Sequence, residues 1–123
     1  MIKVPIADDE SLARLRLQRI LEKRTDVQVI GEAKNGVEAV QMAHRSLPDV
    51  VLMDVCMPEM DGLEATEKIA RMVPPPVVIF CTAYDDFALR AFDVRAFAYL
   101  LKPIKEEELD IALRDGDRIL IEA

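Results

Sequence analysis

The chain has 123 residues, 51% hydrophobic and 32% charged, long enough for one ordinary domain with its own core. Its formal charge of −7 argues against direct binding of nucleic acid, which needs a basic face. There is no apolar run near the roughly eighteen residues of a membrane span and no basic-then-apolar leader, so a soluble, cytoplasmic protein without a membrane partner is expected.

Ile2 to Ala7 is a short apolar strand, followed at once by Asp8-Asp9-Glu10. Pro5 has no N–H for a ladder, so a local irregularity is expected there. Glu10 to Arg24 reads as a helix with Ala13, Leu17, Ile20 and Leu21 on one face and Leu12 and Leu15 to one side. Its Arg14, Arg16, Arg19, Lys23 and Arg24 read as a solvated helix face. Val27 to Ala33 is a second strand, Asn35-Gly36 a turn, and Val37 to Ser46 a helix with its inward stripe at Ala39, Val40 and Ala43, continuing to Leu47.

In the third strand, Asp49 to Asp54, the run Val50 to Met53 shows no polar alternation, the pattern of a strand buried on both faces of a parallel sheet. Met57-Pro58 and Asp61-Gly62 then carry the chain off the sheet into a helix, Leu63 to Met72, with Leu63, Thr66, Ile69, Ala70 and Val73 on one face. Pro74, Pro75 and Pro76 stop it. Val77 to Cys81 is the fourth strand, ending in Thr82-Ala83, and Asp85 to Asp93 is a short helix. Ala96 to Leu101 is the fifth strand, closing on Lys102-Pro103, and Lys105 to Arg114 buries Leu109, Ala112 and Leu113. Gly116 is placed to cap that last helix. Residues 1–115 therefore form the domain, and 116–123, strand-like in pattern, a tail or the start of a linker.

Five strands alternating with five helices predict a doubly wound (βα)5 three-layer sandwich of flavodoxin-like type, its parallel sheet ordered 2-1-3-4-5. That order brings Asp8, Asp9, Asp54, Thr82 and Lys102 to one edge, at the carboxyl ends of the strands. Like charges 4 Å apart cost about 4 kcal/mol at an effective dielectric of 20, so three carboxylates there call for a cation. Oxygen-only ligands suit Mg2+. With one ammonium and one hydroxyl, the cluster suits the placing of a phosphoryl group on an Asp. Cys56 and Cys81 lack metal-ligand spacing and read as reduced thiols. His44 reads as a surface residue, and the six methionines as core filling.

Four motifs in register with the strand ends resemble the response-regulator receiver domains of two-component signalling. They are Asp8-Asp9-Glu10, Asp54 with Met57-Pro58 and Asp61-Gly62, Thr82-Ala83, and Tyr99 to Pro103. Phe80 to Pro103 is similar to receivers of the LytR/AlgR group, whose output is a LytTR-type DNA-binding domain. The resemblance implies that Asp54 accepts a phosphoryl group from a sensor histidine kinase. It implies that Asp9 and Asp54 ligate Mg2+ directly, Asp8 acts through water, and the Cys56 backbone carbonyl is the third protein ligand. Lys102 would pair with the phosphoryl group, Thr82 would turn to it, and Tyr99 would swing inward as the switch aromatic. Cys56 and Tyr84 would tune hydrolysis of the acyl phosphate, the one slow reaction of an otherwise non-enzymatic switch. The surface so remodelled spans the fourth helix, fifth strand and fifth helix, where Leu89 and Ile111 would supply a homodimer contact and transcription would be the output.

Plainer readings exist for single residues: Asp8 as a first-turn residue favoured by the helix dipole, Thr82 as an N-cap, Lys102 as a surface lysine, Tyr99 as a packing aromatic. At the level of function, a pseudo-receiver that binds without phosphorylation is the alternative, although no required residue is missing. A phosphatase with an Asp nucleophile would need an acid where Cys56 stands, and Asp-Asp-Glu without glycines would repel a dinucleotide's pyrophosphate.

Overall fold

The computed structural model describes the backbone of residues 1–122 and the side chains of residues 1–116. Strands β1 (Ile2–Ala7), β2 (Val27–Ala33), β3 (Val50–Met53), β4 (Val77–Thr82) and β5 (Ala98–Leu101) pair in parallel in the order 2-1-3-4-5. Between and after them run α1 (Ser11–Glu22), α2 (Gly36–Ser46), α3 (Gly62–Ile69), α4 (Ala88–Asp93) and α5 (Glu106–Glu122).

The unbroken apolar strands are sorted by their pleat, since successive side chains point to opposite faces. Val50, Leu52, Ile79 and Cys81 join Leu17, Ile20 and Leu21 of α1 and Leu109, Ala112 and Leu113 of α5 in one core. Val51, Met53, Val78 and Phe80 join Ala39 and Ala43 of α2, Leu63, Ala65 and Ile69 of α3, and Ala91 of α4 in the other. Two cores on either side of one sheet make the three layers. The irregularity expected at Pro5 is a register shift: Val4 pairs with Val29 but Pro5 with Gly31, so Ile30 is the extra residue of a bulge.

Several element ends differ from the sequence reading. Leu47 does not extend the buried stripe of α2; it is the left-handed C-cap, with φ 49°, and is exposed. Val73 lies beyond the end of α3 and is also exposed. Helix α4 begins only at Ala88, because Ala83 to Phe87 is loop. Helix α5 runs through Gly116 instead of ending there, so the strand-like pattern after it does not give a strand through Glu122, and Ala123 lies outside the described residues.

The basic face of α1 is not simply solvated. Arg16 donates through Nη2 to the Ile104 carbonyl at 2.8 Å, Lys23 pairs with Glu106 at 3.0 Å, and Arg24 pairs with both Asp26 and Asp110. These contacts strap α1 to α5 and to the loop before it. Arg14 is buried altogether. His44 is exposed, as expected.

Candidate functional site

Four of the five strand ends, all but that of β2, contribute a polar residue to the crevice, and the backbone holds it in place. Asp8 follows β1; its N–H donates to the Ala33 carbonyl of β2 at 2.9 Å. Asp54 follows β3, with its N–H on the Ala7 carbonyl at 2.9 Å. Lys102 follows β5, with its N–H on the Thr82 carbonyl of β4 at 2.8 Å. The loop from Asp54 returns tightly to α3, where Gly62 donates to the Val55 carbonyl at 2.7 Å. A Cβ on Gly62 would lie 2.0 Å from the Asp54 carbonyl oxygen, and one on Gly36 would lie 2.4 Å from that of Met60. Backbone atoms cannot yield there, so close approach explains both glycines.

The side chains converge on one ammonium. Lys102 Nζ lies 2.8 Å from Asp8 Oδ2, 3.4 Å from Asp54 Oδ2 and 3.8 Å from Glu10 Oε1. Asp8 and Asp54 are only 1% and 5% exposed, and Thr82 is fully buried beside them. Asp8 Oδ1 accepts from the Glu10 N–H at 2.9 Å, and Asp54 Oδ1 from the Val55 N–H at 2.8 Å. Burial, then the charge of Asp8, raises the Asp54 pKa above the ordinary 3.8, with Lys102 and the Thr82 hydroxyl opposing. Burial alone would lower the Lys102 pKa. The hydrogen bond to Asp8 and the two carboxylate charges outweigh it, and the pKa is raised, so the ammonium stays charged.

Asp9 and Glu10 are exposed beside this pair. Asp8, Asp9 and Glu10 place one carboxylate oxygen each within 4.8 Å of one another. An all-oxygen, acidic donor set at a wet rim fits a hard divalent cation such as Mg2+. Cys56 is exposed, and its thiol pKa is raised by desolvation and then by the acids around it, Asp54 first, so it is protonated at neutral pH. Cys81 is buried and pushed up to about 12 by that burial.

Thr82 and Tyr99 meet at a third residue. The Tyr84 N–H donates weakly to Thr82 Oγ1 at 3.4 Å, and the Tyr99 hydroxyl donates to the Tyr84 carbonyl. The Tyr99 ring packs 6.1 Å from that of Phe80. The N-cap of α4 is Phe87, so Thr82 does not cap it. Asp8 lies outside the first turn of α1 but does hold its N-cap residue through the Glu10 N–H.

Sequence reasoning brought these residues together but missed Arg14. The periodicity held the signal: Arg14, Leu17 and Leu21 fall at i, i+3 and i+7, one stripe of α1, and all are buried.

The fold and site define a doubly wound α/β domain with an acid-lined crevice at its switch point. The family described as the response regulator receiver domain matches residues 4–114, and the chain belongs to it. It is 44% identical over 118 residues to the positive alginate biosynthesis regulatory protein of Pseudomonas aeruginosa, covering 95% of this chain and 48% of that protein. It is 45% identical over 116 residues to the transcriptional regulatory protein BtsR of Salmonella typhi, covering 92% and 47%. The sensory transduction protein LytT of Bacillus cereus is 41% identical over 109 residues, covering 89% and 44%. These relatives are consistent with a LytR/AlgR-type receiver. The chain spans about half the length of the curated relatives it matches. Among solved structures, the response regulatory domain of mrkE from Klebsiella pneumoniae superposes with a TM-score of 0.90 at 25% identity, covering 99% of this chain and all of that one. The signal receiver domain of the putative response regulator NarL from Mycobacterium tuberculosis gives 0.87 at 32% identity, covering 93% and 94%. Among the described residues no helix is long and apolar enough to cross a membrane.

Proposed function

We propose that the chain is a phosphorylation-dependent switch in which Asp54 takes a phosphoryl group from a phosphohistidine on a sensor kinase. The observation that carries this reading is the Lys102 ammonium held between two buried carboxylates, 2.8 Å from Asp8 and 3.4 Å from Asp54. That arrangement keeps a nucleophilic carboxylate in a water-poor crevice and supplies a cation for the oxygens that arrive.

An Asp54 carboxylate oxygen attacks phosphorus, a P–O bond forms, and the P–N bond to the donor imidazole breaks. The electron pair stays on that nitrogen, which then takes a proton from solvent. Asp9, Asp54 and the Cys56 carbonyl would hold Mg2+ directly, with Asp8 acting through water. The bound cation supplies charge neutralisation for the phosphoryl oxygens. Lys102 leaves its bridge to pair with one of those oxygens, and the Thr82 hydroxyl turns to donate to another. Because Tyr84 is bonded to both Thr82 and Tyr99, displacement of Thr82 disturbs the anchor of the Tyr99 ring. The surface of α4, β5 and α5 then changes, and a second copy of the chain docks on it. The domain is residues 1–115, with 116–123 leading to a LytTR-type output domain in the whole cytoplasmic regulator.

Mass spectrometry after treatment with acetyl phosphate and Mg2+ tests the chemistry. One phosphoryl mass on the peptide containing Asp54, lost in Asp54→Asn, is expected. No added mass, or mass elsewhere, would refute the proposal and leave a receiver fold that binds without phosphorylation.

A further inference from the structure

Arg14 is, with Asp8 and Asp54, one of the charged residues buried among the described residues, only 9% exposed. Its position on the α1 stripe would suit a leucine or methionine, and a hydrophobic side chain there would avoid the desolvation of a guanidinium. The sequence places a cation there instead, and its contacts are specific. Arg14 Nη1 donates to the Asp8 backbone carbonyl at 2.6 Å, within the interior. Its Nε donates to Glu32 Oε1 at 3.0 Å. Glu32 lies on β2, the edge strand, one residue before the Ala33 whose carbonyl receives the Asp8 N–H.

Every hydrogen-bonding group of Asp8 is therefore occupied. The amide is held by Ala33, the carbonyl by Arg14, Oδ1 by the Glu10 N–H and Oδ2 by Lys102. The peptide unit between Asp8 and Asp9 is planar, so fixing the Asp8 carbonyl also fixes the amide and Cα of Asp9. Asp9 is exposed, with none of the burial that orients its neighbour. Arg14 touches neither the Asp54 carboxylate nor the acidic oxygens of the rim, and it is not among the charges that shift Asp54.

We infer that Arg14, braced by Glu32, is a positioning residue that sets the Asp8–Asp9 acid pair for binding a divalent cation. This rests on the reading of the rim as a Mg2+ site and adds to it a supporting pair from outside the crevice. Groups that orient metal ligands from behind typically change affinity by tenfold or more when removed.

Calorimetric titration of Mg2+ into the 123-residue chain, with no phosphodonor present, measures the effect without any turnover. Arg14→Met is expected to raise the Mg2+ Kd about tenfold. Arg14→Lys should recover part of the loss, because an ammonium can reach the Asp8 carbonyl but cannot also hold Glu32 in a planar fork. Glu32→Ala, a change at a half-exposed partner on the sheet edge, should raise Kd several-fold and keeps the test available if Arg14→Met does not fold. Thermal melts run beside the titrations separate positioning from mere support. A lowered melting point with parental Mg2+ affinity in Arg14→Met, or parental affinity in Glu32→Ala, would overturn the inference alone. A parent chain that takes up no Mg2+ would overturn the reading of the site, and this inference with it.

Discussion

At the scale of single residues, the site is a conflict that the fold sustains. Asp54 is buried beside Asp8, and its pKa lies above the ordinary 3.8 because burial and then the Asp8 charge oppose ionisation more than Lys102 favours it. Linkage fixes the sign. Well below pH 3.8 the carboxyl is protonated in both folded and unfolded chains and costs nothing. As pH rises through that value, the unfolded chain loses its proton first, so stability falls until the raised folded pKa is passed and stays lower above it. Asp54→Asn removes the titration. It should melt higher than the parent at pH 7, each kcal/mol relieved raising the midpoint by roughly 4 °C in a domain of this size, and the advantage should vanish near pH 4. Paired melts at the two pH values check this; an Asn variant that melts lower than the parent at pH 7 would mean that Lys102 overcompensates the burial.

At the scale of elements, the strands were legible and the helix ends were not, for identifiable reasons. Val50 to Met53 and Val77 to Cys81 are buried on both faces, which leaves an unbroken apolar run that little else in a short chain produces. The strand ends therefore fell where expected, and with them Asp8, Asp54, Thr82 and Lys102. Helix ends depend on one dihedral or one contact. Leu47 keeps the apolar period but takes a left-handed φ of 49°. Gly116 looks like a cap, yet a Cβ there would sit 3.2 Å from Val77 Cγ1, so its smallness serves close packing of α5 on β4. Arg14 was hidden by its type: a charged residue on a buried stripe is rare enough that pattern reading assigns it to solvent. The exposed faces are more informative. Leu89 and Phe92 of α4, Leu101 at the end of β5 and Ile111 of α5 are large, apolar and uncovered on the face proposed to switch. Beryllofluoride-treated chain should sediment as a dimer at concentrations where the untreated chain is a monomer, and Leu89→Glu should hold it monomeric. A treated parent that stays monomeric would remove this contact from the proposal.

At the scale of the whole molecule, the proposed transfer needs a second protein to reach the crevice, and among the described residues an apolar cavity lies beside it. A cavity of about 230 Å³ opens next to Lys102, lined by Leu12, Arg16 and Leu17 of α1 and by Pro103 and Ile104 of the β5–α5 loop. Leu12, which lines it, is 78% exposed, a large apolar side chain open to a partner. Arg16 holds the Ile104 carbonyl, so the two walls are fixed relative to each other before any partner arrives. A kinase that delivers a phosphohistidine to Asp54 has to bury surface near the crevice, whereas acetyl phosphate needs none. Leu12→Asp places a charge in that lining, outside the carboxylate cluster and outside both cores. It should therefore slow phosphotransfer from the phosphorylated partner kinase by about tenfold or more, the loss of one well-packed anchor of roughly 1.4 kcal/mol. Labelling by acetyl phosphate should proceed at the parental rate. Equal slowing of both reactions would mean that the substitution damages the crevice itself, and parental rates in both would place the kinase on another face.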